Sequence, residues 1–176
     1  MRASLRVAAC WDGAPVPAGD HVRVALTLGA DMLQVQIEAP FYSDKAPSAP
    51  PGSVPGLWDY EVVELFLLGD KERYLEIELG PHGHHLVLDL QGRRNVLRQG
   101  LLLDYEATII GGRWRGVANV PRALLPVGLT RCNAYAIHGE GPSRVYLAMA
   151  PVPGAAPDFH RLEHFVPLVW RLSDAP

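Results

Sequence analysis

Apolar and polar positions alternate over short stretches along most of this chain. Val22, Val24, Leu26 and Leu28 take every second place, Gly29-Ala30-Asp31 marks a turn, and Leu33, Val35 and Ile37 resume the same period. A period of two lines one face of a strand, so the pattern predicts a hairpin. Further strands are predicted over about 60–68, 73–80, 84–90, 133–138 and 145–149. A second hairpin spans 101–120 and turns at Gly111-Gly112. Pro121 opens a single predicted helical turn. The stretch from Phe159 to Leu172 begins as a helical turn and ends as a strand. Five prolines lie between 40 and 56, and 150–158 is also proline-rich, so both stretches are predicted loops. There is no internal repeat, heptad run or long amphipathic helix. These features predict one all-β domain over 1–176, an antiparallel jelly-roll-like β-sandwich with short helical turns.

One strand breaks the polarity rule. In the run from Leu57 to Leu68 a carboxylate, Glu64, stands among Val62, Val63, Leu65, Phe66 and Leu67. A charged group buried without partners is costly, so Glu64 must be paired, hydrogen-bonded or facing a cavity. On the next strand Leu75, Ile77 and Leu79 share one face, while Tyr74, Glu76 and Glu78 share the other. If the two strands pair, one sheet face gathers carboxylates flanked by Trp58 and Tyr74. That chemistry suits a polar ligand such as a sugar, or a cation.

Bulk properties narrow the alternatives. The formal net charge is −3 and the isoelectric point near 6.1. The basic residues are scattered apart from Arg93, Arg94 and Arg98, with no basic stripe interleaved with aromatics, which argues against nucleic acid. No segment approaches the roughly 18 apolar residues of a membrane helix. The apolar core of the first ten residues is too short for a secretory signal, so a cytoplasmic location is the default expectation. Cys10 and Cys132 are the only cysteines. They are expected to be free, and a cysteine-based structural zinc site is excluded.

Several segments carry a family resemblance. They are 57–64 (Leu-Trp-Asp-Tyr-Glu-Val-Val-Glu), 74–86 with its Pro81-His82-Gly83-His84-His85 turn, Gly92-Arg93-Arg94-Asn95-Val96, 133–139 and 157–163 (Pro-Asp-Phe-His-Arg-Leu-Glu). Together they resemble a family of uncharacterised proteins found in bacteria and animals, over about residues 20–168. More distantly, the order of features is similar to carbohydrate-binding module family 9 and to DOMON-like β-sandwiches. In family 9 modules a Trp ahead of the Val-Glu strand forms one wall of a sugar clamp, and the strand glutamate bonds sugar hydroxyls. The resemblance implies these roles for Trp58 and Glu64. The second clamp Trp has no counterpart between His138 and Phe159, where Tyr146 or Phe159 would substitute. Other DOMON-like domains bind haem between a Met and a His or basic residue, a role open to Met32, Met149, His138 and His160.

The expected function is a non-enzymatic carbohydrate- or polyol-binding domain that uses an aromatic and acidic sheet face. Trp58 stacks on the ligand, Glu64, Glu76 and Glu78 accept hydroxyl hydrogen bonds, and Arg93 or Arg94 neutralises the acids. Tyr74, His138, Tyr146 and His160 complete the expected ligand-binding set. The partner is a small saccharide or polyol, with no nucleic acid, no membrane, no cofactor and no resident metal assigned. One alternative is a small glycan- or metabolite-processing enzyme that uses Glu64 with His138 or His160 as an acid–base pair. Another is a haem- or metal-binding DOMON-like domain. Calcium on Asp59, Glu61 and Glu64, or a transition metal on His82, His84 and His85, are further options. His160 and His164 would share a face if helical. No nucleophile elbow, Walker loop or dinucleotide fingerprint is present.

Overall fold

Alternation at Val22, Val24 and Leu26 is realised as a strand whose apolar side is fully buried and whose polar side is exposed. The same logic builds most of the molecule, seen in a computed structural model that describes residues 1–172. In chain order the strands are β1 (Arg2–Val7), β2 (Ala9–Cys10), β3 (Val22–Leu28), β4 (Met32–Pro40), β5 (Gly52–Ser53), β6 (Val62–Leu68) and β7 (Arg73–Leu79). There follow β8 (His84–Gln91), β9 (Val96–Gln99), β10 (Asp104–Ile110), β11 (Arg113–Pro121), β12 (Arg131–His138), β13 (Val145–Ala148) and β14 (Val166–Pro167). Helical structure among the described residues is limited to single 3-10 turns, including Leu57–Asp59, Arg122–Leu124 and Leu162–His164.

Two sheets form. One has the order β1-β3-β4-β11-β10. The other runs β2-β13-β12-β6-β7-β8-β5, with β14 on β12 and β9 on β8. All pairings are antiparallel except the short contact of β5 with β8. The protein is therefore an all-β sandwich. Between the sheets lies a core of Val24, Leu26, Val35, Ile37 and Trp114 from the first, against Val63, Leu65, Leu67, Leu75 and Ile77 from the second.

The predicted hairpins and the paired strands around Glu64 are present within a few residues of their predicted bounds. β1 and β9 had no place in the predicted pattern. β1 carries only Ala3, Leu5 and Val7 inward, and all four residues of β9 are exposed. Too few large apolar side chains mark either one.

The second sheet buries both of its faces, and this creates the site. Every residue of β6 is buried. Val63, Leu65 and Leu67 point into the sandwich. Val62, Phe66 and Leu68 point outward and join Leu57, Tyr74, Leu88, Leu90, Tyr135 and Ile137. A single sheet layer cannot keep such residues from water, so a cover is required. The cover is the returning chain after β13, which lays Val152, Phe159, Leu162 and Phe165 across this outer face. Phe66 sits at the centre, packed edge-on against Tyr135, His160 and Phe165. The glutamates of β6 and β7 lie on the same outer face.

Candidate functional site

Strand register sets the acidic cluster. Glu64 is directly opposite Glu78, and Phe66 is opposite Glu76, so one β7 acid faces Glu64 and the other is its diagonal neighbour on the same face. On the other flank Tyr135 of β12 is opposite Glu64. One carboxylate oxygen from each of Glu64, Glu76 and Glu78 can be chosen so that all three lie within 4.8 Å of one another. All three residues are buried, Glu78 completely. Among the described residues neither Glu78 oxygen, nor Oε2 of Glu76, completes a hydrogen bond of normal geometry, although the Trp58 backbone N–H and the Glu76 carboxyl approach Glu78.

Burial governs their acidity. It pushes the Glu64 carboxyl up to about 8, with the Arg144 charge pulling the other way. Burial, then repulsion from Glu64, raises Glu76 well above the ordinary carboxylate range, and Arg94 opposes the shift. Burial with the Glu64 and Glu76 charges pushes Glu78 up to about 11. At neutral pH the cluster therefore holds protons, because separated negative charges would repel one another in a poorly solvated recess.

A cavity of about 420 Å³ opens over this cluster, lined by Trp58, Glu64, Glu76, Arg94, Arg144, Tyr146, Phe159 and His160 among others. Trp58 belongs to the 3-10 turn Leu57–Asp59, which Gly56 enters in the left-handed region at φ 74°. Leu57 is buried and anchors the turn, while the Trp58 indole remains 44% exposed at the rim. Arg144 secures the turn from across the cavity. Its guanidinium donates to the carbonyl oxygen of Trp58 and, at 3.0 Å, to that of Asp59. It also lies 5.6 Å from the ring centre of Tyr146. Phe159 stacks on Tyr135 at 3.8 Å between ring centres and forms part of the apolar wall.

His160 also lines the cavity, backed by Tyr74. Tyr74 Oη and His160 Nδ1 are 2.8 Å apart, and the backbone N–H of Arg94 donates to Tyr74 Oη at 3.2 Å. His160 Nε2 stands 3.9 Å from Glu76 Oε2. Burial, then the charges of Arg94 and Arg93, pushes the His160 imidazole down to about 4. It is neutral at physiological pH, so it forms no ion pair with Glu76.

The fold thus lines the cavity with Trp58, Glu64, Glu76, Arg94, Tyr146 and His160, while Tyr74 and Glu78, expected to touch ligand, stand behind the lining against His160 and against Glu64 and Glu76. Arg93 stands beside them, pairing Asp158 jointly with Arg94. His138 lies elsewhere. Its ring stacks on Tyr42 with centres 3.5 Å apart, and it lines a separate small recess with Glu61. Arg144 gave no sequence signal. It follows a Gly-Pro-Ser turn, and only the tertiary fold shows that it spans to Trp58.

The other proposed constellations disperse. Glu61 accepts from the backbone N–H groups of Tyr42 and Asp44, so Asp59, Glu61 and Glu64 do not converge as calcium ligands. His84 Nε2 donates to the carbonyl of Ala49, and His85 Nε2 accepts from Leu103 N–H. His82 packs edge-on against Phe41, so each of the three has separate surroundings. Met32 opens a strand of the first sheet and Met149 packs on the inter-sheet core, so neither stands near His160 as a haem ligand pair. His164 ends a 3-10 turn that begins after His160, so the two share no helical face.

Comparison with known proteins places the chain. It is 46% identical over 166 residues to the UPF0462 protein C4orf33 homolog of Danio rerio, covering 88% of this chain and 83% of that protein. It is 46% identical over 167 residues to UPF0462 protein C4orf33 of Homo sapiens, covering 88% and 82%. No family model matches the chain. Among solved structures, a Bacteroides uniformis protein described as a "putative carbohydrate-binding protein" superposes with a TM-score of 0.73. It is 16% identical and matches 94% of this chain and 84% of its own, which speaks to the fold alone. The chain belongs to the UPF0462 family.

Proposed function

We propose that this UPF0462 member is a binding domain for a saccharide or related polyol, held in the cavity between Trp58 and the acids of β6 and β7. One observation carries the reading. An exposed indole stands at the rim of a cavity of about 420 Å³ whose floor presents Glu64 and Glu76 and whose sides present Arg94 and Arg144. Small-molecule pockets commonly span about 300–1,000 Å³, with apolar walls and a few converging polar groups. A sugar ring offers a C–H face to an aromatic ring and hydroxyls that both donate and accept. Protonated carboxyls can donate to those hydroxyls and ionised ones can accept, so the acids serve in either state.

The arrangement favours holding over hydrolysis. Glycosidases set two carboxyl groups on either side of the scissile bond. Here Glu64, Glu76 and Glu78 come from one face of two adjacent strands and gather on one side of the cavity. An acid–base role for Glu64 with His138 is not supported, because His138 lies in a different recess. The Bacteroides uniformis protein supports the fold of a carbohydrate binder, and the ligand assignment rests on the cavity itself.

The test is a titration of mono- and disaccharides followed by tryptophan fluorescence and calorimetry, with Trp58→Ala alongside. Saturable binding that weakens at least tenfold in the variant is expected. No binding of any sugar at tens of millimolar would end the proposal. Turnover of a glycoside abolished by Glu64→Gln would replace it with the enzymatic reading.

A further inference from the structure

Glu78 has no function in the saccharide reading as stated. It lies beneath the cavity floor rather than on its lining, it is fully buried, and among the described residues neither of its oxygens completes a hydrogen bond of normal geometry. Buried polar groups are nearly always satisfied, and an orphaned carboxyl costs more than an orphaned hydroxyl or amide. A sandwich built only for packing would carry an apolar residue here, as β7 does on its other face with Leu75, Ile77 and Leu79. The Glu78 carboxyl is directed toward Glu64 and Glu76, the two acids that do reach the cavity.

We infer that Glu64, Glu76 and Glu78 form a binding site for a hard divalent cation of the calcium class, set into the cavity floor. The donor set is all oxygen. Three carboxylates can supply up to six oxygens, and calcium takes six to eight at about 2.3–2.6 Å. Two oxygens on opposite sides of such an ion are about 5 Å apart. The 4.8 Å limit that contains the three acidic oxygens fits that span without rearranging the strands. An oxygen-only set of this kind does not favour zinc or copper, which prefer imidazole or thiolate.

The charges are also compatible. Three carboxylates and one dication leave one negative charge, which the Arg144 guanidinium bordering the cavity offsets, while Arg94 on the same border is already paired with Asp158. Carboxylates bind a metal ion in their ionised form, so binding releases whatever protons they carry and affinity rises with pH. The site departs from the expectation that the chain holds no metal, because the sequence showed three acids on one face but not that one of them completes no hydrogen bond of normal geometry among the described residues.

The ion's coordination shell would stay open on the cavity side, where vicinal hydroxyls of a bound polyol could complete it. This second step rests on the saccharide reading, whereas the ion site does not.

The experiment separates the two. The full chain, stripped with EDTA and dialysed, is titrated with Ca2+ and then with Mg2+, Mn2+ and Zn2+, by calorimetry in two buffers of different ionisation enthalpy at pH 6 and pH 8. No sugar is present. The expected result is one Ca2+ per chain, with proton release, at least tenfold tighter binding at pH 8 than at pH 6, and a higher melting temperature. Glu78→Gln should weaken binding at least tenfold, while Glu106→Gln on the first sheet should not change it. If Glu78→Gln does not fold, Glu76→Gln and the proton release of the unaltered chain carry the same test. No Ca2+ binding at pH 8 up to about 10 mM, well above the weakest ordinary calcium sites, overturns the inference, and so does a site that takes Zn2+ alone. Sugar titrations are then run with Ca2+ and with EDTA. Ca2+ binding without sugar binding in either condition refutes the saccharide reading and leaves the ion site standing. Equal sugar binding in both refutes the bridging role alone.

Discussion

Glu64 and Glu78 face each other across the β6–β7 ladder, both buried, with no hydrogen bond of normal geometry to Glu78 among the described residues. Directly opposed like charges destabilise a strand pair. The pair is tolerated because burial raises both acids, Glu64 to about 8 and Glu78 to about 11, from an ordinary 4.5. The price is a dependence of stability on pH. Between about 4.5 and 8 the unfolded chain is ionised at these positions while the folded chain keeps its protons.

Stability of the ion-free protein therefore falls as pH rises. A group whose folded value is raised contributes fully below its unfolded value and loses that contribution as pH climbs toward the folded one. Each such proton contributes a slope of about 1.4 kcal/mol per pH unit inside the window. Glu61, raised by burial to about 7, acts in the same direction. Urea unfolding in EDTA at pH 6.5, 7.2 and 8 should give a steadily falling midpoint. A flat or rising midpoint would mean that the acids are ionised in the fold. Added Ca2+ should restore most of the loss at pH 8.

Replacing Glu78 with an apolar side chain should stabilise the ion-free protein. Glu78→Met keeps an unbranched side chain of similar length and removes two buried oxygens that complete no hydrogen bond of normal geometry among the described residues. Restoring such a site to apolar packing is worth about 1–3 kcal/mol. It also removes the acid whose folded value is raised to about 11, so the pH slope should flatten. Thermal unfolding at pH 8 in EDTA would show this as a higher melting temperature, and a lower one would show that the nearby Trp58 N–H or Glu76 carboxyl hydrogen-bonds Glu78 in the folded chain.

Much of this region was legible beforehand, and the reason is the period of a strand. Glu64, Glu76 and Glu78 fall on one face by parity alone once β6 and β7 pair, and the apolar bounds of both strands set that pairing. Parity does not say what covers a face. Val62, Phe66 and Leu68 could be known to point away from Val63 and Leu65. That the segment carrying Val152, Phe159 and Phe165 returns over them is a long-range fact, invisible to local pattern. Arg144 and His138 illustrate the same limit. Both border the Gly139–Ser143 turn in sequence, yet one guanidinium reaches across to the Trp58 carbonyl and the other ring stacks on Tyr42.

Arg144 should matter more to ligand than to fold. It holds the turn that presents Trp58 through two carbonyl oxygens, a fork geometry that a lysine ammonium reproduces poorly. Arg144→Ala should lower stability by about 1 kcal/mol, as for a half-buried side chain at a rim, yet cost about tenfold in saccharide affinity by freeing the indole. Calorimetric binding beside thermal unfolding separates the two effects. Loss of stability with unaltered affinity would show that Trp58 does not need this support.

His160 gives the most local check on the electrostatics. Burial and then the positive charges of Arg94 and Arg93 hold its imidazole near 4, well below the usual 6.5. The sign is opposite to that of the acids. A base with a lowered folded value contributes stability above 6.5 and loses it as pH falls toward 4, because the unfolded chain takes up the proton first. The imidazole resonances of His160 should therefore stay in the neutral form from pH 7 to about 5, with Tyr74 Oη retained 2.8 Å from Nδ1. Removing both positive charges in Arg93→Ala/Arg94→Ala should move its titration midpoint upward by up to about one pH unit, leaving the burial contribution in place. Should His160 titrate near 6.5 in the unaltered protein, its ring would be solvated rather than packed beside Glu76, and the cavity wall on that side would have to be redrawn.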